Sequence, residues 1–73
     1  MTARPGSTKP KEFIRKLRKR GFIIDHQTGS HVILLHPAGI RLSVPYHARE
    51  MKRGLLMGLL KQAGIDPEEF GKL

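Results

Sequence analysis

The chain has 73 residues, enough for one domain but not for a second hydrophobic core. It has no cysteine, which excludes disulfide bonds and thiolate metal sites and suits a reducing, cytoplasmic setting. No stretch approaches the roughly 18 consecutive apolar residues of a membrane helix, and residues 1–10 lack the apolar segment of a secretory signal. The net charge of +8 favours a polyanionic or acidic partner.

The N-terminal part of the chain predicts a tail and a helix. Residues 1–8 contain a proline, a glycine and few apolar side chains, so we expect a flexible tail, followed by a single domain over residues 9–73. Thr8 is the predicted N-cap of the helix and Gly21 its left-handed C-cap. The buried stripe of this helix consists of Phe13, Ile14 and Leu17.

Half of the basic residues lie in or next to this helix. Any one of them is explained by a solvated helix face, but as a cluster they predict a surface that binds a polyanion, with RNA as the first candidate. The basic helix face is formed by Arg15, Lys16, Arg18 and Lys19.

Three strands are predicted next. Phe22–His26 is β-branched and aromatic, and residues 27–29 form a turn. Ser30–His36 is the second strand, and residues 37–39 form another turn. Ile40–Val44 alternates apolar and polar residues, as in a half-buried third strand. The second strand is apolar at consecutive positions, so its pattern leaves open which side faces the helices.

The C-terminal part predicts a second helix and a short helical turn. The helix begins near Arg53 and ends at Gly64, and Asp66–Phe70 has an N-cap followed by proline. The predicted apolar face consists of Leu55, Leu56, Leu59, Leu60 and Ala63. The expected fold is α+β, in the order α-β-β-β-α, with a three-stranded antiparallel sheet and two helices on one face.

The triplet Gly29-Ser30-His31 is the strongest candidate for chemistry. A glycine turn places a histidine at the start of the most apolar strand, and the serine brings a hydroxyl beside its ring. Histidine titrates near neutral pH, so an exposed one exchanges protons under physiological conditions. A half-buried structural histidine is the alternative. A proton acceptor in this position on a strongly basic domain indicates a protein that acts on a polyanion, with RNA as the first candidate.

The other histidines have weaker claims. His26 is expected to be a surface residue, and His36 is expected to cap a turn or be partly buried. His47 is the only other histidine that we hold as a functional candidate. No two histidines have the helical i, i+4 spacing, and no cysteine joins them, so we expect no metal site and no cofactor.

Several short segments, in chain order, carry a family resemblance from about Lys11 to Phe70. They are Gly29-Ser30-His31, His36-Pro37, Val44-Pro45-Tyr46-His47, Lys52-Arg53-Gly54-Leu55-Leu56, and Leu60-Lys61-Gln62-Ala63-Gly64 with Glu69-Phe70 downstream. The ordered set resembles HicA toxins, the small ribonucleases of HicA–HicB toxin–antitoxin systems.

The resemblance implies a fold similar to a double-stranded-RNA-binding domain and an endoribonuclease that cleaves mRNA. It assigns the catalytic histidine to His31. It also implies a type II toxin neutralised by a HicB-type antitoxin, with DNA bound only indirectly through the antitoxin complex.

The chemistry needs no metal if a base removes the proton of the RNA 2′-hydroxyl and that oxygen attacks the adjacent phosphorus. His31 is the candidate base. Attack by an activated water is the alternative, and the general acid is left open between His47, His36, a lysine and water. The candidates for stabilising charge on the phosphoryl oxygens are Arg41, Arg49, Lys52 and Arg53, and Ser30 and His47 are further candidates for substrate binding.

Two other classes of function fit the same sequence. One is a non-catalytic RNA-binding module that uses shape and phosphate contacts. The other is an interaction protein whose basic face meets an acidic partner. Cleavage of RNA that depends on His31 would distinguish the enzyme from the RNA-binding module, and a salt-titrated RNA-binding assay would test the interaction protein.

Overall fold

The computed structural model describes residues 8–73, and the other residues of the predicted tail lie outside that range. Its elements are α1 (Pro10–Arg18), β1 (Ile23–Thr28), β2 (His31–His36), β3 (Ile40–Pro45), α2 (Arg53–Ala63) and α3 (Pro67–Gly71). The α+β class and the α-β-β-β-α order are confirmed, with α3 as the predicted terminal turn. Across residues 8–73, no helix has both the length and the apolar character needed to cross a membrane.

Helix α1 begins one residue later than predicted. Its N-cap is Lys9, because Pro10 occupies the first helical position, where its fixed φ is favourable. Thr8 was predicted as the cap, and this is wrong. Its backbone pairs instead with Met51, whose N–H donates to the Thr8 carbonyl oxygen at 2.7 Å. Thr8 is therefore attached to the folded domain.

The predicted glycine cap of α2 is confirmed, whereas the C-cap of α1 is Lys19, and Gly21 lies three residues beyond Arg18 with the left-handed backbone that was expected there. Gly21 has a φ of +94°, and the next amide, that of Phe22, donates back to the Leu17 carbonyl oxygen at 3.2 Å. Gly64 has a φ of +74° and is likewise followed by an amide that bonds back into its helix. This arrangement satisfies carbonyl groups that the end of a helix leaves free, and it needs a left-handed residue.

The sheet is antiparallel with the order β1-β2-β3. The first hairpin turn is shorter than predicted, because Gln27 and Thr28 continue β1 and only Gly29 and Ser30 form the turn. Thr28 consequently pairs with His31.

A β-bulge interrupts β1. Ile24 pairs with Leu34 and His26 pairs with Ile33, so Asp25 is an additional residue without a partner of its own in β2. A bulge places two residues opposite one and changes the face to which the following side chains point. The alternation of β1 is therefore reversed after Ile24.

The hydrophobic core lies between the helices and one side of the sheet. Leu34 and Leu42 are fully buried there, beside Val32 and Val44. The helices contribute Phe13, Ile14, Leu17, Leu56, Leu59, Leu60 and Ala63, and Phe70 of α3 packs on the ring of Phe13 with centroids 5.6 Å apart. Leu55 was predicted in this face but is 43% exposed, because the buried residues of α2 follow the i, i+3, i+4, i+7 pattern from Leu56.

The opposite side of the sheet faces away from the helices, and we call it the open face. Register pairing assigns to it Ile23, His26, Thr28, His31, Ile33, Leu35, Arg41, Ser43 and Pro45. Ile33 is at its centre and is only 3% exposed, although it does not belong to the core between sheet and helices. His26 and Ser43 are its neighbours on the two flanking strands.

Candidate functional site on the open face of the sheet

His31 is the first residue of the central strand and is exposed on the open face. It pairs with Thr28 on one side and Pro45 on the other. The preceding residue is also fixed, because the Tyr46 N–H donates to the Ser30 carbonyl oxygen at 2.7 Å. The backbone of His31 is thus held from both sides while its ring is accessible.

The ring of His31 has one nitrogen available. Ser30 Oγ lies 3.4 Å from Nδ1, a long and weak contact. Within the described part of the chain, Nε2 has no hydrogen-bond partner. An exposed imidazole with a free nitrogen is able to accept a proton from a bound substrate.

A second histidine lies on the same face, where sequence reasoning predicted only a surface residue. His26 Nδ1 and Asp25 Oδ2 are 2.6 Å apart, and both side chains are partly exposed. Neighbouring residues of a regular strand point to opposite faces, so their side chains meet here because of the bulge. The sequence signal was limited to an Asp-His pair within a strand, and it did not reveal the bulge.

His36 has a structural role. Its Nε2 donates to the Arg20 carbonyl oxygen at 3.1 Å, and its Nδ1 accepts from the Ala38 N–H at 3.0 Å. Its ring packs on Phe22 with centroids 4.8 Å apart. Both ring nitrogens are engaged, in agreement with the predicted turn-capping role, and neither is available to a substrate.

The other predicted substrate-binding residues are spread around the domain. Arg41 is exposed on the open face. It pairs with Leu35, toward the other end of β2 from His31. His47 is exposed just after β3, close in sequence to the Pro45 that pairs with His31, and its ring contacts that of Tyr46. Exposed Lys52 and Arg53 begin α2. Among residues 8–73, no hydrogen bond or ion pair connects Arg41, Lys52 or Arg53 to His31.

The predicted basic face of α1 is divided between structural and free charges. Lys16 donates to the Phe70 carbonyl oxygen at 3.3 Å and lies 4.6 Å from the centre of the Phe70 ring, so it helps to hold α3. Lys19 donates to the Leu73 carbonyl oxygen at 3.1 Å. Arg18 is exposed and, within the described chain, makes no side-chain hydrogen bond or ion pair.

Arg15 pairs with Glu12 one helical turn earlier. The hydrogen bond from its guanidinium lowers the pKa of the Glu12 carboxyl from its ordinary value, with the nearby charges of Lys16 and Lys19 adding to the effect. The same contact raises the pKa of Arg15. Part of the positive charge on this helix is therefore neutralised within the helix itself.

Residues 8–73 contain no group of three or more His, Cys, Asp or Glu side chains arranged to hold a metal ion. The His26–Asp25 pair and the exposed ring of His31 are groups that can accept or donate a proton.

Comparison with known proteins identifies a family. No curated protein matches the chain at a significant level. The model of the family described as "HicA toxin of bacterial toxin-antitoxin" matches residues 10–65, from the first residue of α1 to just beyond the cap of α2. The match covers well over half of the chain and includes the whole sheet. The chain therefore belongs to the HicA toxin family of bacterial toxin–antitoxin systems.

Proposed function

We propose that this toxin is a metal-independent endoribonuclease that cleaves mRNA with His31 as the general base. The observation that carries the proposal is the exposed ring of His31, fixed at the start of the central strand with a free Nε2. In the proposed reaction, His31 takes the proton of a 2′-hydroxyl, and that oxygen attacks the adjacent phosphorus. The products are a 2′,3′-cyclic phosphate and a free 5′-hydroxyl.

The charge of the domain supports binding of the substrate. A net charge of +8 on 73 residues attracts the phosphate backbone of RNA. Because binding releases counterions from the RNA, and that release is less favourable at high salt, RNA binding should weaken as salt is added. Arg41, exposed on the open face with His31, is the candidate for contact with a flanking phosphate. Arg18 is an exposed charge of α1 without a side-chain partner among residues 8–73, and Lys52 and Arg53 remain further candidates for phosphate contacts.

The test is cleavage of a defined RNA by purified toxin in excess EDTA. His31→Ala should reduce the rate by about 10²–10⁴-fold, the usual contribution of a general base. The fold should persist, because the His31 side chain is exposed. Gln62→Ala, an exposed change on α2, is the control and should cleave at the wild-type rate.

Two results would reject this mechanism. Cleavage by His31→Ala within a few-fold of wild type, with an unchanged circular dichroism spectrum, would show that His31 is not the base. Loss of wild-type cleavage in EDTA, restored by a divalent ion, would show that the reaction depends on a metal.

A non-catalytic RNA-binding module is the second candidate, favoured by the exposed basic residues of α1. It predicts salt-sensitive RNA binding without cleavage by wild type or by any variant. In that case Arg18→Glu should weaken binding and Gln62→Glu should weaken it less. Gln62→Glu changes the net charge by one unit less than Arg18→Glu does, and Gln62 lies on α2 rather than on α1.

A nuclease acting on cellular mRNA needs restraint, and we propose that a HicB-type antitoxin provides it in the cytoplasm. Covering the open face would block His31 and the adjacent basic surface. Any reading of operator DNA would belong to the partner in that complex.

The test of this restraint is co-expression of the toxin with the neighbouring small open reading frame, followed by purification through a tag on one chain. The expected complex is stable and does not cleave RNA. A complex that forms but cleaves at the full rate would show that the partner does not cover the active site.

A further inference from the structure

We propose that His26 is the general acid of this nuclease, with Asp25 as its positioning residue. The proposal rests on the proposed function of His31 as the base. It assigns the second proton transfer to a histidine of the edge strand β1 that the bulge turns toward the open face.

The bulge is what brings His26 to the correct side. Ile24 pairs with Leu34, whose side chain is in the core. In an uninterrupted strand, His26 would share that side, because residues i and i+2 point the same way. The additional residue Asp25 instead makes His26 the partner of Ile33, on the open face.

The register fixes the spacing of the two histidines. His31 and Ile33 are two residues apart in β2, and His26 is opposite Ile33, so His26 and His31 are diagonal neighbours on one face. Diagonal neighbours in an antiparallel pair have Cβ atoms about 7–8 Å apart, or somewhat less. That distance leaves room for one phosphodiester group between the two rings.

Asp25 gives the ring of His26 a defined orientation. Its Oδ2 accepts the Nδ1 proton over 2.6 Å, which directs Nε2 away from the carboxylate. Within residues 8–73, Nε2 of His26 has no hydrogen-bond partner. The carboxylate also compensates the positive charge of the ring when both nitrogens carry protons, which is the form that an acid requires.

The proton balance of the step is complete with the two rings. His31 accepts the proton of the 2′-hydroxyl as the bond from O2′ to phosphorus forms. The bond from phosphorus to O5′ breaks, and Nε2–H of His26 gives its proton to the departing O5′. His31 ends protonated and His26 neutral, and exchange with water restores both.

The competing histidines are less suitable for this role. Both nitrogens of His36 are engaged by Arg20 and Ala38. His47 lies outside the sheet, on the connector after β3, so its ring is not fixed by strand pairing with the element that carries His31.

The experiment compares two RNA substrates that differ at one atom of the scissile phosphodiester. The bridging 5′ atom is oxygen in one substrate and sulfur in the other. A thiolate leaves without being protonated, so the sulfur substrate does not need the acid. Wild type should cleave both substrates. His26→Ala should lose about 10²–10⁴-fold on the oxygen substrate, the usual contribution of a general acid, but only a few-fold on the sulfur substrate. His31→Ala should lose activity on both.

Two further variants test the pair. Asp25→Asn should slow the oxygen substrate by about 10-fold, less than His26→Ala, and should have no additional effect in a His26→Ala background, as expected for residues that act as a unit. Ser43→Ala is the matched control, because Ser43 flanks Ile33 from the other neighbouring strand. It should cleave both substrates normally. Melting curves verify that each variant is folded, and His26→Gln provides a second replacement.

The outcomes separate the two proposals. If wild type cleaves neither substrate, the proposed nuclease function fails and the acid role fails with it. If wild type cleaves both but His26→Ala and His26→Gln are equally slow on both, His31 remains the base and His26 is not the acid. If His47→Ala is slow on the oxygen substrate but cleaves the sulfur substrate normally, His47 is the general acid and the assignment to His26 is overturned.

Discussion

The two sides of the sheet are built from the same strands but differ in composition and packing. Toward the helices, β2 and β3 present Val32, Leu34, Leu42 and Val44, all of them buried. Toward the open face the same strands present His31, Arg41 and Ser43 in exposed positions around the buried Ile33. One side therefore supplies most of the stability, while the other is free to carry reactive groups.

The largest expected effect tests this division directly. Leu34 is fully buried toward the helices, and its neighbour Leu35 is half-buried on the open face. We expect Leu34→Ala to lower the free energy of unfolding by about 3 kcal/mol, through lost burial and the cavity left behind. Leu35→Ala should cost about 1 kcal/mol, since less apolar surface is lost. Urea denaturation measures both, and equal losses would contradict the division.

A smaller effect is expected at His36, which by register points to the same side as Leu34. His36→Ala removes the acceptor for the Ala38 N–H, the donor to Arg20 and the packing on Phe22. We expect a loss of about 1–2 kcal/mol in unfolding free energy. RNA cleavage per folded molecule should be unchanged, the reverse of His31→Ala. A specific loss of cleavage with normal stability would place His36 in the active site.

The smallest effect is expected at Glu12, remote from both sides of the sheet. The hydrogen bond from Arg15 lowers the pKa of Glu12 below 4.5 in the folded protein. The pair therefore adds stability at pH values above the unfolded pKa, and this contribution is lost as the pH falls through the lowered value. Because both side chains are about half exposed, Glu12→Gln should change stability at neutral pH by no more than experimental error. A clear loss at pH 7, absent at pH 3, would show that the pair is stronger than its exposure implies.

The sequence predicted most of the fold because its signals are local. Gly21 and Gly64 are glycines at the ends of apolar helical patterns, and the alternation of Ile40–Val44 identifies a half-buried strand. The Thr8 cap was wrong because its backbone bonds to Met51, a contact distant in sequence. The end of β1 was also misplaced, since the choice between a two-residue and a three-residue turn depends on strand pairing.

The candidate site was predictable only in part. The exposed position of His31 follows from the turn before it and is observed, while its catalytic role stays a prediction. The Asp25–His26 contact depends on a bulge, which is a feature of how β1 pairs with β2. Nothing in the residues of β1 alone indicates this. The side of β2 that faces the helices was likewise decided by pairing, because Val32–Leu35 is apolar at every position.

The bulge also lies on an exposed edge of the sheet, where another chain could pair. Strand β1 is at the edge of the sheet, and its Ile23 and Ile24 side chains are 57% and 47% exposed. A regular edge with apolar side chains is a template for pairing with another chain and for aggregation. The additional residue at Asp25 breaks the repeat of donors and acceptors and places a carboxylate beside the two isoleucines. Removing the bulge would therefore restore a regular row of backbone donors and acceptors on which a further strand could add.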